Sequence, residues 1–227
     1  MAGKKELKGA EAVLVESGSG KARRLAKIRN EKKYRIREID TIIRERRTRS
    51  EAKLLVKAAQ AGIPAPRLLK SGSTEIEISF IDGEMLNRIL DRAADAGKRQ
   101  GNAMKKGKGS KAGKGRSVPS LEAIFSDAGN ICARMHAAGI CHGDYTPANL
   151  MLGKKGGLFV IDFGLGKFSA KREDFATDYL TFLKSTKDFS GLHADFEKGY
   201  LEAAGKGSPI PALAQKIDMR SRYMQRE

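Results

Sequence analysis

The chain has 227 residues, 40% of them hydrophobic, which is enough for a sizeable core in one domain or in two lobes that share a cleft. Its 44 Lys and Arg against 27 Asp and Glu leave a net charge of +17, which favours a polyanionic partner such as RNA, an acidic protein or clustered phosphates. Neither a run of 18 apolar residues nor an amino-terminal apolar run of signal-peptide length occurs, so we expect a soluble protein without a membrane partner.

Cysteine usage bears on the cellular compartment. Cys132 and Cys141 are the only cysteines, too few for a disulfide framework. Neither of them lies in a CxxC or Cys/His spacing typical of metal sites. The sequence therefore favours a reduced, cytoplasmic location.

The first third of the chain is predicted to form a small sheet and a helix. Residues 11–30 contain two short apolar runs around a Gly/Ser turn, and residues 63–84 alternate apolar and polar side chains around a second such turn, so each segment predicts a hairpin. Between them, Ser50 is a candidate helix cap and Gly62 a candidate stop. The buried stripe predicted for this helix consists of Ala52, Leu55, Val56 and Ala59.

A linker at Asp82 and Gly83 is predicted to separate an amino-terminal lobe, residues 1–83, from a carboxy-terminal lobe, residues 84–227. Within the second lobe, residues 97–117 consist mainly of Gly, Lys, Ala and Ser, with eight basic residues and no acidic one. Such a composition does not bury a core. We therefore expect a mobile basic loop there.

After this loop the sequence predicts a helix, two short strands and a largely helical end. Gly139 closes the helix, and the strands fall at residues 150–152 and 158–162. About the last 55 residues are expected to be helical, with a loop at residues 205–211. The apolar stripe of the helix consists of Leu121, Ile124, Phe125, Ala128, Ile131, Cys132 and Met135.

Two motifs carry chemistry: "HGDYTPANLM", residues 142–151, and "LFVIDFG", residues 158–164. Phosphoryl transfer from ATP requires an aligned acceptor and charge neutralisation by Mg²⁺, for which kinases use an Asp, an Asn five residues later and the Asp of D-F-G. Asp144, Asn149 and Asp162 have this order and spacing, which predicts that Asp144 receives or orients the acceptor's proton. Oxygen atoms of Asn149 and Asp162 would bind the metal, because Mg²⁺ prefers such hard ligands. Each triplet alone is a common loop motif, but together they predict a site for ATP and Mg²⁺.

A kinase site also needs a Lys on a strand for the α and β phosphates and a Glu on the next helix that holds this Lys. Lys27, in the apolar segment "LAKIR", and Glu51, near the start of the predicted helix, are the candidates. Lys21, in the turn, is the alternative Lys. From position alone, Lys27 is equally well a solvated Lys of a basic chain, and Glu51 an ordinary acid of a first helical turn.

The chain lacks a G-x-G-x-x-G loop to cover the phosphates. Gly9, Ala10 and Glu11 are predicted to take that place through backbone N–H groups. His142 is predicted to brace the catalytic loop, residues 142–149, rather than to exchange protons. Asp178 either braces the same loop from a neighbouring helix or merely starts that helix.

These residues resemble a known family, the small atypical kinase or ATPase subunit of the KEOPS complex, which is related to RIO kinases. The resemblance covers most of the chain outside residues 91–118 and the final helix. Its most specific part is "KKYRIREID" joined to "TRSEA", which ordinary kinases and sugar or antibiotic kinases lack. The other matching segments are "GAEAVLVE", "IPAPRLL", "ARMHAAGICHGDYTPANLM" and "LFVIDFGLGKFSAKREDFATDYLTFLKST".

The resemblance implies an α+β, two-lobed protein kinase-like fold with a small amino-terminal sheet plus helix and an abbreviated helical carboxy-terminal lobe. It also implies Mg²⁺-dependent ATP hydrolysis and autophosphorylation on Ser or Thr. The implied partners are the threonylcarbamoyltransferase subunit, which makes threonylcarbamoyladenosine in tRNAs, and a small subunit that binds the amino-terminal lobe. A basic surface suits tRNA, because phosphate neutralisation contributes strongly to its binding.

The sequence departs from the family pattern in three places. The family usually has Leu-Thr-Thr-Ser within the catalytic loop, where this chain has Tyr145, Thr146, Pro147 and Ala148. Its basic carboxy-terminal tail is represented only by "MRSRYMQRE". The basic segment 97–117 is longer than the family pattern and is either an added RNA contact or a solvated insertion.

Two alternative functions stay open. A small-molecule phosphotransferase of the aminoglycoside or choline kinase type uses the same motifs, but it needs a larger helical lobe than the chain after Asp162 provides. A catalytically weak, nucleotide-binding tRNA scaffold would depend on the +17 charge for binding. The sequence leaves open whether the phosphate acceptor is a protein hydroxyl or water, whether the isolated chain is active, and its oligomeric state.

Overall fold

Strands dominate the first part of the chain and helices the rest. The structure is a computed structural model and describes residues 5–8, 12–103 and 119–223. The strands are β1 (Lys5–Lys8), β2 (Ala12–Ser17), β3 (Arg24–Arg29), β4 (Leu68–Ser71), β5 (Glu75–Ser79), β6 (Gly83–Met85), β7 (Ile140–Cys141), β8 (Leu150–Gly153), β9 (Leu158–Val160) and β10 (Lys167–Phe168). The helices are α1 (Arg37–Gln60), α2 (Leu86–Ala103), α3 (Leu121–Ala137), α4 (Arg172–Ser185), α5 (His193–Ala204) and α6 (Ile210–Tyr223).

The first five strands form one antiparallel sheet in the order β1-β2-β3-β5-β4. Both predicted hairpins are confirmed, since β2 pairs with β3 and β4 pairs with β5. In this register Lys27 stands between Leu14 and Ile76, on the central strand. Side chains two residues apart on a strand face the same side, so Arg29 accompanies Lys27.

Helix α1 is longer than the sequence predicted. It begins at Arg37, so Ser50 lies inside the helix and is not its cap. The acidic residues Glu38 and Asp40 lie in the first turn, where negative charge stabilises a helix, and no Gly or Pro interrupts the later turns. The predicted stripe was wrong in part: its first two members are buried, whereas Val56 and Ala59 are exposed.

Helix α2, which was not predicted from the sequence, continues through Ala103 into the predicted basic loop. Residues 97–103, expected to be part of the basic loop, are therefore helical. A segment that buries no core still forms a helix when its backbone hydrogen bonds continue those of a preceding turn, since propagation is far easier than nucleation. Residues 104–118, the rest of the predicted loop, lie outside the described part of the chain.

The remaining strands and helices enclose the main core. Strands β6, β8 and β9 form a second sheet in the order β6-β8-β9, and β7 pairs with β10. The stripe predicted for α3 is buried apart from Leu121, which is partly buried. Gly83 begins β6, while the division into lobes at this position stays a prediction. Within the described residues, no helix is long and apolar enough to cross a membrane.

Candidate active site

The candidate site has Lys27 at its centre. Its Nζ atom lies 2.8 Å from Oε1 of Glu51 and 2.5 Å from Oδ1 of Asp162. The Lys27 and Glu51 side chains are buried, whereas the Asp162 side chain is half exposed. The structure thus joins β3, α1 and the segment after β9, and it assigns the ion pair to Lys27. The alternative, Lys21, lies in a 3-10 turn between β2 and β3.

Sequence reasoning missed Arg29. Its guanidinium is buried, and one of its terminal nitrogens lies 2.5 Å from Oε2 of Glu51. Glu51 therefore binds a different cation with each carboxylate oxygen. The signal was present in the sequence, because Lys27 and Arg29 are two residues apart on a predicted strand and share a face. What the sequence does not reveal is that this face is closed by α1.

Asp162, two residues after the end of β9, occupies an unusual backbone position. Its φ angle is 59°, the only positive value among non-glycine residues in the part of the chain that the structure describes. Such conformations are rare for residues other than Gly, although Asp tolerates them better than most. The N–H of Gly164 donates to Oδ1 of Asp162 at 3.0 Å, and Phe163 is buried beside the turn. The turn therefore fixes the carboxylate in front of Lys27.

The ionisation of Asp162 follows from these contacts. Burial alone raises the pKa of this carboxyl group, but the nearby ammonium of Lys27 and the N–H of Gly164 outweigh burial and hold the pKa below its ordinary value of 3.8. The group is therefore a carboxylate at neutral pH. A metal cation bound next to Asp162, where the ammonium group of Lys27 now lies, would have a negatively charged oxygen ligand.

Asp144 and Asn149 form a second pair. The side-chain amide nitrogen of Asn149 donates to the backbone oxygen and to Oδ2 of Asp144, both at 2.8 Å. Because the nitrogen is engaged in this way, the amide oxygen is the atom left to bind another group. The N–H of Ile161 donates to the backbone oxygen of Asn149 at 2.9 Å, which places this pair beside the residue that precedes Asp162.

The catalytic loop is held by buried polar side chains. Nε2 of His142 lies 3.0 Å from the backbone oxygen of Ile161, and Nδ1 accepts from the N–H of Asp144 at 3.3 Å. Asp178, on α4, accepts from the N–H groups of His142 and Gly143 at 2.5 and 2.8 Å. His142 and Asp178 therefore both hold the loop in place. Of the two roles considered for Asp178, holding the loop is the one that the structure shows, since α4 begins at Arg172 and not at Asp178.

Tyr145 explains one departure from the family pattern. Its ring is fully buried and its hydroxyl donates to the backbone oxygen of Ala128 on α3 at 2.7 Å. The Leu of the family pattern has no polar group that could bond that carbonyl. The loop is therefore tied to α3 by a hydrogen bond as well as by packing.

The arrangement fits a magnesium nucleotide. A Cβ atom on Gly164 would come within 2.8 Å of Oδ1 of Asp162, 3.4 Å of Arg29 and 3.5 Å of Lys27, so only Gly leaves this approach open. Within the described ranges no group of three or more His, Cys, Asp or Glu side chains would hold a metal alone. Mg²⁺ commonly takes one or two protein oxygens and completes its shell with phosphates and water, which suits the oxygens of Asp162 and Asn149.

One part of the predicted site is not placed. Gly9, Ala10 and Glu11 lie between β1 and β2 but outside the described residues. The hairpin that carries them is present, since β1 pairs with β2 from Lys5 opposite Glu16 to Lys8 opposite Val13. Their contact with phosphates stays a prediction.

Comparison with known sequences places the chain in a family. Residues 130–210 match the model of the phosphotransferase enzyme family. The chain is 30% identical to the probable serine/threonine-protein kinase BUD32 homolog of Archaeoglobus fulgidus, over 89% of each chain. It is 34% identical to the EKC/KEOPS complex subunit BUD32 of Encephalitozoon cuniculi, over 88% of this chain and 85% of that protein. The chain belongs to the Bud32 family.

Another relative carries a Bud32-like sequence within a longer protein. The chain is 30% identical to a probable bifunctional tRNA threonylcarbamoyladenosine biosynthesis protein of Methanosarcina mazei, over 95% of this chain but 35% of that protein. Bud32-type sequences are thus found both alone and as a part of a larger chain.

Solved structures confirm the fold. The Rio2 kinase of Chaetomium thermophilum, in a complex described as ADP/Mg²⁺-phosphoaspartate, matches 98% of this chain and 71% of its own with a TM-score of 0.61 and 12% identity. At this identity the likeness concerns the fold alone. The expected α+β, two-lobed kinase-like fold is therefore confirmed.

Proposed function

We propose that this Bud32-family chain is a Mg²⁺-dependent, ATP-hydrolysing atypical Ser/Thr protein kinase subunit that supports threonylcarbamoyladenosine modification of tRNA in a KEOPS complex. The observation that carries the proposal is the meeting of Lys27 with Glu51 and Asp162, at 2.8 and 2.5 Å, beside the Asp144–Asn149 pair. These are the residue types that phosphoryl transfer in kinases requires, in the required order.

Each residue has a separate role in this proposal. Lys27 binds phosphate oxygens, and Glu51 holds its ammonium group in position. Asp162 and Asn149 hold the metal through a carboxylate and an amide oxygen, while Asp144 orients the acceptor hydroxyl or water. When bound, Mg²⁺ neutralises charge on the phosphates. We also propose that residues 9–11, which lie outside the described residues, contact the phosphates through backbone N–H groups.

Relatives support the tRNA role and the partners. One relative is described as a KEOPS subunit and another as a tRNA threonylcarbamoyladenosine biosynthesis protein. We accordingly propose cytoplasmic assembly with the threonylcarbamoyltransferase subunit and with a small subunit on the amino-terminal lobe. The net charge of +17 supports a direct contact with tRNA phosphates.

A small-molecule phosphotransferase is the competing function. The match to the phosphotransferase family model favours it, but that match is confined to residues 130–210. Bud32 relatives match 88% to 89% of the chain, including the amino-terminal part that the model leaves out. The broader match supports the KEOPS role.

The decisive test is the Asp162→Asn variant, with ATP turnover measured in the presence of the threonylcarbamoyltransferase partner and tRNA. We expect at least a 100-fold loss (~2.7 kcal/mol), because the amide supplies no negative charge to the metal. The matched control is Asp82→Asn, which removes only an exposed ion pair with Lys154. Full turnover by the Asp162→Asn variant would refute the proposal.

The Asp144→Asn variant distinguishes an enzyme from a catalytically weak tRNA scaffold. An enzyme loses ATP turnover in this variant but keeps its tRNA affinity, because the change removes a negative charge and no cation that could contact a tRNA phosphate. Unchanged support of tRNA modification by the Asp144→Asn variant would favour the scaffold instead.

A further inference from the structure

A groove lies on the outer side of α1, away from the face that carries Glu51. It has a volume of about 470 Å³ and is formed where α1 meets β4 and β10. The chemistry proposed for the active site makes no use of this groove. Its lining residues are Arg49, Ala52, Lys53, Val56, Lys57, Gln60, Leu68, Ser71 and Phe168.

The floor of the groove is apolar. Val56 is 43% exposed and Phe168 is 51% exposed, although both are large hydrophobic residues. They lie beside Ala52 and Leu68, which adds to a continuous apolar surface. Val56 was predicted to be a core residue of α1, and in the structure it faces this groove instead. A partner's side chain that covered Val56 and Phe168 would remove this apolar surface from water.

One wall of the groove is a row of cations. Arg49, Lys53 and Lys57 are four residues apart on α1, so they lie on successive turns of one face, about 6 Å apart. All three are exposed. Throughout the ranges that the structure describes, no acidic side chain pairs with them, in contrast to Lys27, Arg44 and Arg92. The wall therefore carries three uncompensated positive charges.

We propose that this groove, the α1 groove, binds an acidic segment of a partner protein that inserts an apolar or aromatic side chain between Val56 and Phe168. The three cations span about 12 Å, which equals about four residues of extended chain. A segment with carboxylates on both sides of one apolar residue would match the wall and the floor together. This inference goes beyond the proposed function and does not depend on it.

Other occupants fit less well. The carboxy-terminal stretch "MRSRYMQRE" has three Arg and one acidic residue, so it would be repelled by the wall. A second copy of the chain also carries +17. RNA phosphates would pair with the cations but would leave the apolar floor exposed to water, whereas a side chain buried there contributes roughly 25 cal/mol per Å² of apolar surface.

The test uses a synthetic fluorescein-labelled peptide, Asp-Glu-Phe-Glu-Asp, whose binding to the full chain is measured by fluorescence anisotropy. We expect the Lys53→Glu/Lys57→Glu variant to weaken binding about tenfold, since two favourable charge contacts become repulsive. Val56→Asp should weaken it to a similar extent. A peptide with Gly in place of Phe should bind more weakly to the unmodified chain.

The matched control is Lys198→Glu on α5, which is exposed and lies outside the groove. It makes the same kind of charge change and should leave binding unaltered. Peptide binding that both groove variants retain would overturn the proposal. It would also be overturned if those variants spared the peptide and weakened binding of fluorescent tRNA, which would assign the groove to RNA, or changed the sedimentation of the chain, which would assign it to a second copy.

Discussion

Glu51 is the residue on which the buried charges of the site depend. Its two carboxylate oxygens bind Lys27 and Arg29, and all three side chains are at most 8% exposed. Buried charges are tolerated only when paired, because each loses its hydration. Arg29 therefore neutralises part of the negative charge of Glu51. Lys27 does not have to neutralise that charge alone, and its ammonium group also contacts Asp162.

The Glu51→Gln variant should consequently be unstable as well as inactive. It leaves two buried cations with no buried carboxylate, which costs about 3–5 kcal/mol of unfolding free energy. Urea unfolding at pH 7 measures the loss. Glu77→Gln on β5 is the control, since its partner Arg24 is half exposed and exposed pairs contribute about 0–1 kcal/mol. Equal stability of the two variants would contradict this account of Glu51.

Asp178 gives the molecule a predictable dependence on pH. Burial alone raises the pKa of this group, but the imidazole of His136, 3.7 Å away, and the hydrogen bonds from the N–H groups of His142 and Gly143 outweigh burial and hold the pKa below the ordinary 3.8. A depressed pKa means that the carboxylate stabilises the folded state above pH 3.8. That contribution is lost as the pH falls below 3.8 through the folded-state value.

We therefore expect Asp178→Asn to lower stability at pH 7, by about 3 kcal/mol for two weakened hydrogen bonds to a charged group, and to flatten the decline below pH 4. Thermal unfolding between pH 3 and pH 7 measures both effects. Asp188→Asn, at an exposed position, is the matched control. A decline in Asp178→Asn as steep as in the unmodified chain would show that other groups cause it.

At the scale of elements, α3 and α5 pack backbone against backbone. A Cβ atom on Gly129 would lie 2.0 Å from the backbone oxygen of Phe196, and one on Gly199 would lie 1.9 Å from that of Ser126. Both helices line the core beneath the catalytic loop, through buried residues such as Phe125 and Tyr200. Glycine at these two positions is therefore a requirement of helix packing.

Gly199→Ala should force the two helices apart. Overpacking of this kind costs about 1–3 kcal/mol or more, although Ala favours the helix itself. The midpoint of thermal unfolding should fall, and ATP turnover with it. Gly191→Ala adds the same methyl group where nothing lies within 4 Å, so it should leave both quantities unchanged. Equal midpoints for the two variants would show that α3 and α5 adapt without cost.

At the scale of the whole molecule, positive charge is the dominant property. A chain with a net charge of +17 attracts polyanions over a distance that salt limits to about 8 Å at physiological ionic strength. The proposed binding to tRNA should weaken steeply with added salt, because each neutralised phosphate releases counterions. The basic residues of segment 104–118 contribute to this charge irrespective of the fold.

Replacement of the six basic residues in that segment by Gln should weaken tRNA binding and flatten its salt dependence. Each lost phosphate contact reduces the slope of log K against log salt by about 0.7–0.9. Filter binding at a series of salt concentrations measures this slope. The control is a variant in which the same number of exposed Lys residues is replaced elsewhere in the chain. An unchanged slope would make the segment a passive insertion. The six residues are Lys105, Lys106, Lys108, Lys111, Lys114 and Arg116.

The sequence by itself determined the elements with strong local signals and the candidates for chemistry. Hairpins, the α3 stripe and the motifs around Asp144, Asn149 and Asp162 follow from periodicity and spacing, which are local properties. The length of α1 was underestimated, because the charge-rich first turns of this helix have no apolar stripe to reveal them. Helix α2 was not predicted at all, although Leu86 and Leu90 are buried. Lys27 and Glu51 were identified through the chemistry that a kinase needs, not through their own surroundings.

Only the tertiary structure decided which groups meet. Lys27 and Asp162 are 135 positions apart, and no local pattern reports their contact. Packing of α1 against the sheet excludes water from Arg29 and Glu51, so these two side chains pair with each other. Packing of α4 does the same for Asp178, which accepts a hydrogen bond from the catalytic loop. Val56 has the spacing of a core residue yet faces the α1 groove, since burial depends on what packs against a helix face.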